Sequence, residues 1–235
     1  MIGKNWGKGV SRRNVLKFGA GVIGTSAVTV GMGSEMVAPR RAIANEDLTP
    51  DQAIDLLMEG NRRFIEHRQS HPHQDVFRMT QVANGQKPFA AILGCADSRV
   101  PTELVFDQGL GDLFVCRVAG SIAIDEQVAS LEYAALVLGS KVIMVMGHER
   151  CGAVKATIEA HEVPGRISTL LDAINPALNG DPQLHSDLEA ATKANIVYQV
   201  EKVKASPVIG QLVQEDKLKV IGAYYDLDTG VVTRL

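Results

Sequence analysis

The sequence predicts an α/β fold: a mostly parallel β-sheet flanked by helices, with a short antiparallel C-terminal edge strand and an N-terminal helical arm. Three observations carry that expectation. The runs Phe89-Ala90-Ala91-Ile92-Leu93 and Lys141 to Met146 have the length and continuous apolarity of strands buried on both faces. Each ends in a glycine and a loop followed by a helical pattern, the alternation that builds parallel sheets. A third run, Leu218 to Tyr225, is followed by the turn Asp226–Gly230 and by Val231-Val232-Thr233, which reads as an antiparallel return.

The first 44 residues stand apart from this pattern. Ser11-Arg12-Arg13-Asn14-Val15-Leu16-Lys17 is followed by an uncharged Gly/Ala/Thr-rich run from Phe18 to Ser34 and a small-residue site at Ala42-Ile43-Ala44. This resembles a twin-arginine export signal cleaved after Ala44, which implies delivery to the periplasm or a thylakoid lumen and a division into 1–44 and 45–235. A single membrane anchor is the alternative, because the run is at the short edge of a spanning helix. Residues 45–235 hold 17 basic and 26 acidic side chains, a formal charge of −9. Such a surface repels nucleic acid and anionic lipid, so neither nucleic acid nor stable membrane insertion after cleavage is expected.

Taken in order, Leu48 to Phe64 reads as an amphipathic helix ending near Gly60. Thr49 and Gln52 form a capping box around Pro50, and Ala53, Ile54, Leu57 and Met58 make an apolar stripe. The polar stretch with His71-Pro72-His73 reads as a solvated loop. After the first strand, Val100-Pro101 opens a helix, Leu113 to Val118 is a second strand, and a helix runs from about Glu126 to Leu138. Gly152 opens another helix, and Ile167 to Val208 reads as helices separated by turns.

Both central strands end in loops that carry reactive side chains, Cys95-Ala96-Asp97-Ser98-Arg99 and His148-Glu149-Arg150-Cys151. The C-terminal edge of a parallel sheet is where ligands bind, so these loops converge despite more than fifty intervening residues. Cys95, His148 and Cys151 then form the three-ligand donor set of a catalytic zinc site, one zinc per subunit, with a fourth position open. Zinc there would lower the pKa of bound water from ~15.7 toward ~7. Arg99 can pair bidentately with Asp97, keeping it ionised and aimed at the open position. A Cys95–Cys151 disulfide is the alternative, though it explains neither His148 nor the Asp97/Arg99 pair. Cys116, mid-strand, reads as a small buried hydrophobe.

Cys95-Ala96-Asp97-Ser98-Arg99-Val100 and His148-Glu149-Arg150-Cys151-Gly152-Ala153 resemble the two signature motifs of the beta-class carbonic anhydrases. The likeness extends from about residue 49 to Leu235, including the helix end Leu57 to Phe64 and the segment Gly222 to Gly230. It implies reversible hydration of carbon dioxide to bicarbonate and a proton by zinc-bound hydroxide, oriented by the Asp97/Arg99 dyad. In some members Asp97 would itself take the fourth zinc position, closing the site. The likeness implies that Gln86 donates a hydrogen bond to substrate across the cleft, and that the chain forms a homodimer able to pair into a tetramer. Val100, Phe106 and residues near Ala119-Gly120 are expected to wall a narrow pocket, with ordinary core the alternative for Phe106, and Ser121 stands where many bacterial relatives have Asn. Neither His161 nor His185 marks a dedicated proton shuttle, so transfer to buffer is expected. Hydrolysis of carbon disulfide or carbonyl sulfide, and silent zinc or bicarbonate binding, are the competing functions.

Overall fold

The computed structural model describes residues 48–160 and 162–235; the expected twin-arginine signal with its expected cleavage site after Ala44, and His161, lie outside the described residues. Helix α1 (Pro50–Ile65) starts as expected. The Thr49 hydroxyl accepts from the Gln52 backbone, and the Gln52 side chain accepts from the Thr49 N–H at 2.8 Å. It does not stop near Gly60, however. Gly60 backs onto the carbonyl of Phe106, where an added Cβ would stand 1.8 Å from the oxygen. The glycine serves close approach rather than termination, and the helix runs on to Ile65.

The stretch expected to be a solvated loop contains a second helix, α2 (Val76–Val82), capped by Asp75, which accepts from the Arg78 N–H at 2.7 Å. The segment ahead of it is ordered from a distance. The buried carboxylate of Asp107 accepts from the backbone N–H groups of Ser70 and His71 and pairs with Arg63. His73 likewise faces Asp112 at 2.8 Å. No residue of α2 is buried, so no apolar stripe in the sequence announces it.

The strands are β1 (Ala90–Gly94), β2 (Leu113–Arg117), β3 (Val142–His148), β4 (Lys219–Tyr225) and β5 (Val232–Arg234), in spatial order β2-β1-β3-β4-β5. The first four are parallel and β5 is antiparallel to β4, as the apolar runs predict. Between them lie α3 (Thr102–Val105), α4 (Asp125–Glu132), α5 (Gly152–Ile158), α6 (Ser168–Ile174), α7 (Leu188–Lys204) and α8 (Pro207–Gln214). The sequence predicts one helix to Leu138, but α4 gives way to a π-helical turn at Tyr133–Val137. The wider turn lets adjacent Ala134 and Ala135 both pack on the core beside Leu131.

Helix α1 covers one face of the sheet, burying Ile54, Leu57 and Phe106 against Ile92, Met144 and Tyr225. Helices α4, α7 and α8 cover the other, where Leu131, Ile196 and Ile209 meet Ile143, Val145 and Tyr224. Among the described residues no helix is long and apolar enough to cross a membrane. The register that pairs Gly94 with Met146 sets Cys95 beside Gly147-His148 at one edge of the sheet.

Candidate metal centre

Each donor is placed by the end of a regular element. Cys95 follows β1, His148 is the last residue of β3, and Cys151 is the residue that starts α5. All three are buried, and their donor atoms lie within 4.8 Å of one another. His148 Nδ1 donates to the Glu149 carbonyl at 2.8 Å. That bond fixes the tautomer and leaves Nε2 with a free lone pair. Nε2 is buried without a hydrogen-bond partner and lies 3.8 Å from Asp97 Oδ2.

The two thiols share one proton. Hydrogen bonding from Cys151 holds Cys95 down to about 4, while donating that bond, together with burial, pushes Cys151 up. One ready thiolate, a second thiol buried beside it, and an orphaned imidazole lone pair form a donor set that fits zinc.

Asp97 meets Arg99 through both oxygens: Oδ1 accepts from Nε at 3.0 Å and from the Arg99 backbone at 2.9 Å, and Oδ2 accepts from Nη2 at 2.7 Å. The arginine holds the carboxyl well below the usual carboxylate range. Arg117, which reads in the sequence only as a strand end, reaches under this loop; its Nε donates to the Cys95 carbonyl at 2.8 Å and its Nη2 to the Asp97 carbonyl. On the opposite side, Glu149 accepts from the Leu227 N–H at 3.1 Å and Arg150 pairs bidentately with Asp228 at 2.6 and 2.9 Å. The His148–Cys151 loop is thereby tied to the turn that links β4 to β5.

Not every expected residue joins the site. Gln86 is exposed and precedes β1, whereas Cys95 follows it, so one chain does not bring the two together. Val100 and Phe106 pack in the core under α1 rather than being free to wall a pocket. Ile122, Val154, Ile174 and Leu178, buried like them, cluster with the two thiols, an apolar packing that no motif announced. Gly120 does reach the site, donating its N–H to Cys95 Sγ at 3.4 Å. Ser121 donates to the Met146 carbonyl at 2.7 Å. Cys116 packs with Ala91 and Leu93, apart from the donors. His185 is exposed in a 3₁₀ turn.

A mostly parallel sheet with helices on both faces places the molecule among the α/β proteins, and the cysteine–histidine–cysteine set at the C-terminal edge of its strands could hold a metal. The sequence profile described as Carbonic anhydrase matches residues 90–232. The chain is 38% identical over 187 residues to carbonic anhydrase 2 of Mycobacterium tuberculosis, covering 77% of this chain and 90% of that one. It is 30% identical over 196 residues to the carbonic anhydrase of Synechococcus elongatus, covering 76% and 70%. Among solved structures, the Coccomyxa beta-carbonic anhydrase in complex with acetazolamide superposes with a TM-score of 0.64 at 29% identity, covering 76% of this chain and 84% of that one. A tetrameric beta-carbonic anhydrase of Sordaria macrospora shares the fold, with a TM-score of 0.65 at 23% identity over 77% and 96% of the two chains. The chain belongs to the carbonic anhydrase family, in its beta class.

Proposed function

We propose that the protein catalyses the zinc-dependent, reversible hydration of carbon dioxide to bicarbonate and a proton. The observation that carries this is the orphaned His148 Nε2, 3.8 Å from a carboxylate that Arg99 already grips on both oxygens. Cys95, His148 and Cys151 would hold the zinc, which supplies a Lewis acid able to make water nucleophilic at neutral pH. Asp97, kept ionised by Arg99, accepts a hydrogen bond from the attacking water and aims its lone pair at the carbon. Because both Asp97 oxygens are engaged by Arg99, this geometry favours an Asp97 held off the metal over one that closes the site. Ile122, Val154 and Ile174, packed around the two thiols, make the surroundings of the site apolar, which suits an uncharged substrate. The product proton passes to buffer.

Gln86 stands at the other end of β1, so a role toward substrate requires a second subunit. The exposed apolar residues of α2, with Val76 and Phe77 73% and 72% accessible, support a homodimer that pairs further into a tetramer. Export through the twin-arginine route remains part of this reading, supported by Arg12-Arg13 and the run after them.

Stopped-flow measurement of carbon dioxide hydration on zinc-loaded protein tests the proposal. Rapid turnover at neutral pH supports it. Zinc-loaded protein that is inactive toward carbon dioxide but hydrolyses carbon disulfide or carbonyl sulfide, or turns over neither, overturns it.

A further inference from the structure

Helix α7 sends two amide side chains into the turn that backs Cys95. Asn195 and Gln199, four residues apart and so on one face of the helix, are 2% and 0% exposed. Asn195 Nδ2 donates to the Gly120 carbonyl at 2.9 Å, and Asn195 Oδ1 accepts from Gln199 Nε2 at 3.0 Å. Gln199 Oε1 accepts from the Ala123 N–H at 2.9 Å, and Gln199 Nε2 also donates to the Ala173 carbonyl at 3.1 Å. Every polar atom of the pair has a partner, which makes the unit stiff.

The turn it grips passes through two left-handed residues in succession, Gly120 at φ 80° and Ser121 at φ 54°. Glycine adopts this conformation freely, but at Ser121 it persists only where the surroundings over-determine it. Here the turn aims the Gly120 N–H at Cys95 Sγ, 3.4 Å away. Packing of α7 alone does not ask for this arrangement. The neighbouring buried polar side chain, Thr192, bonds only to Leu188 of its own helix, at 2.8 Å, and holds no loop.

We infer that Asn195 and Gln199 are positioning residues for the metal centre: they hold residues 118–123 so that the Gly120 N–H donates to the Cys95 sulfur. The inference rests on reading Cys95, His148 and Cys151 as a zinc site. An N–H···S bond draws electron density from the sulfur and fixes its direction. Its loss leaves Cys95 more electron-rich and free to turn away from the metal.

The test compares zinc-loaded parent protein with Asn195→Leu and Gln199→Met, using Thr192→Val as a control that changes a buried polar group of the same helix. Zinc transfer to a chelator should become about 10- to 100-fold faster in the first two variants and stay unchanged in the control. In the cobalt-substituted proteins the thiolate-to-metal charge-transfer band should move to lower energy in the same two variants only. A further measurement needs no variant to fold: in native protein loaded with cadmium-113, the Gly120 amide proton should show scalar coupling to the metal through the sulfur. Parental zinc release and an unmoved cobalt band in both variants, an equal change in Thr192→Val, or no coupling at Gly120 would each overturn the inference. Parent protein that takes up no zinc would instead refute the metal reading itself.

Discussion

Replacing Asn61 by alanine should unfold the domain at a markedly lower temperature without altering the chemistry of the folded molecule. Asn61 is 3% exposed in the last turns of α1. Its Nδ2 donates to the Val105 carbonyl at 3.2 Å and the Gly230 carbonyl at 2.8 Å, while Oδ1 accepts from the Val232 N–H at 2.9 Å. One side chain therefore ties α1 to α3, to the turn between β4 and β5, and to β5 itself. At about 1 kcal/mol net per hydrogen bond, Asn61→Ala loses about 3 kcal/mol and strands two carbonyls and an N–H in the interior. For a domain of this size that corresponds to a fall in Tm of about 6–12 °C. Calorimetry reads the Tm, and stopped flow at 25 °C reads kcat/KM, which should stay near parental. Asn61→Asp retains the acceptor for Val232 but sets a carboxylate against two carbonyl oxygens. Folding then favours the protonated acid, so this variant should gain stability relative to Asn61→Ala as pH falls. A Tm within about 2 °C of the parent for Asn61→Ala would refute the reasoning, since three well-made buried bonds cannot then be contributing their usual amount.

Three other outcomes follow from the site and its supports. Cys95→Ser and His148→Ala should each reduce bound zinc, measured by metal analysis, well below one per chain, whereas Cys116→Ser should leave it unchanged, because Cys116 lies outside the donor group. Asp97→Asn should keep its zinc yet lose about 10²-fold or more in kcat/KM, the scale of a positioned proton-accepting group; parental kcat/KM would remove Asp97 from the mechanism. Burial alone would raise Asp107, but Arg63 and the N–H groups of Ser70 and His71 outweigh it and hold its carboxyl below the usual range. A depressed folded-state value gives stability that is present above the unfolded value near ~3.9 and is lost as pH falls through the folded one. Urea midpoints should therefore show Asp107→Asn less stable than the parent at pH ~7, with the gap narrowing on descent below pH ~4.

The parallel sheet and the three donors were legible because both follow from local signals. Buried strands leave continuous apolar runs, and the residues just after them fall at the sheet's C-terminal edge whatever the rest of the chain does. What was not legible depends on polar groups acting at long range. Helix α2 has no buried residue, so hydrophobic periodicity cannot reveal it, and the loop before it owes its shape to Asp107, more than 30 residues away. Gly60 looks like a helix end until Phe106 is placed against it. Asn195 and Gln199 sit in an α7 whose apolar residues show little one-sidedness, because the helix is wedged between the sheet and α5 and buries polar atoms as well as apolar ones. Gln86 is the converse case, a residue singled out by motif that a single chain leaves far from the chemistry.

The paired thiols also fix an order of events. Without metal, Cys95 is the acidic partner, held as thiolate by the proton of Cys151, and the sulfurs lie within 4.8 Å of each other. A thiolate beside a thiol is the arrangement that oxidises to a disulfide, giving up two electrons to the oxidant and releasing the one proton that Cys151 carried. Zinc, bound as proposed, would engage both sulfurs and remove the nucleophile. Metal-free protein treated with hydrogen peroxide should thus form a Cys95–Cys151 disulfide, seen as a loss of two titratable thiols and a cross-linked peptide by mass spectrometry, and should then fail to take up zinc until reduced. Zinc-loaded protein under the same treatment should keep both thiols. If the metal-free protein oxidises first at Cys116, the proton-sharing description of the pair is wrong. If the prediction holds, the proposed export to an oxidising compartment would require the chain to acquire its metal before it arrives, a constraint that an export route for folded proteins would satisfy.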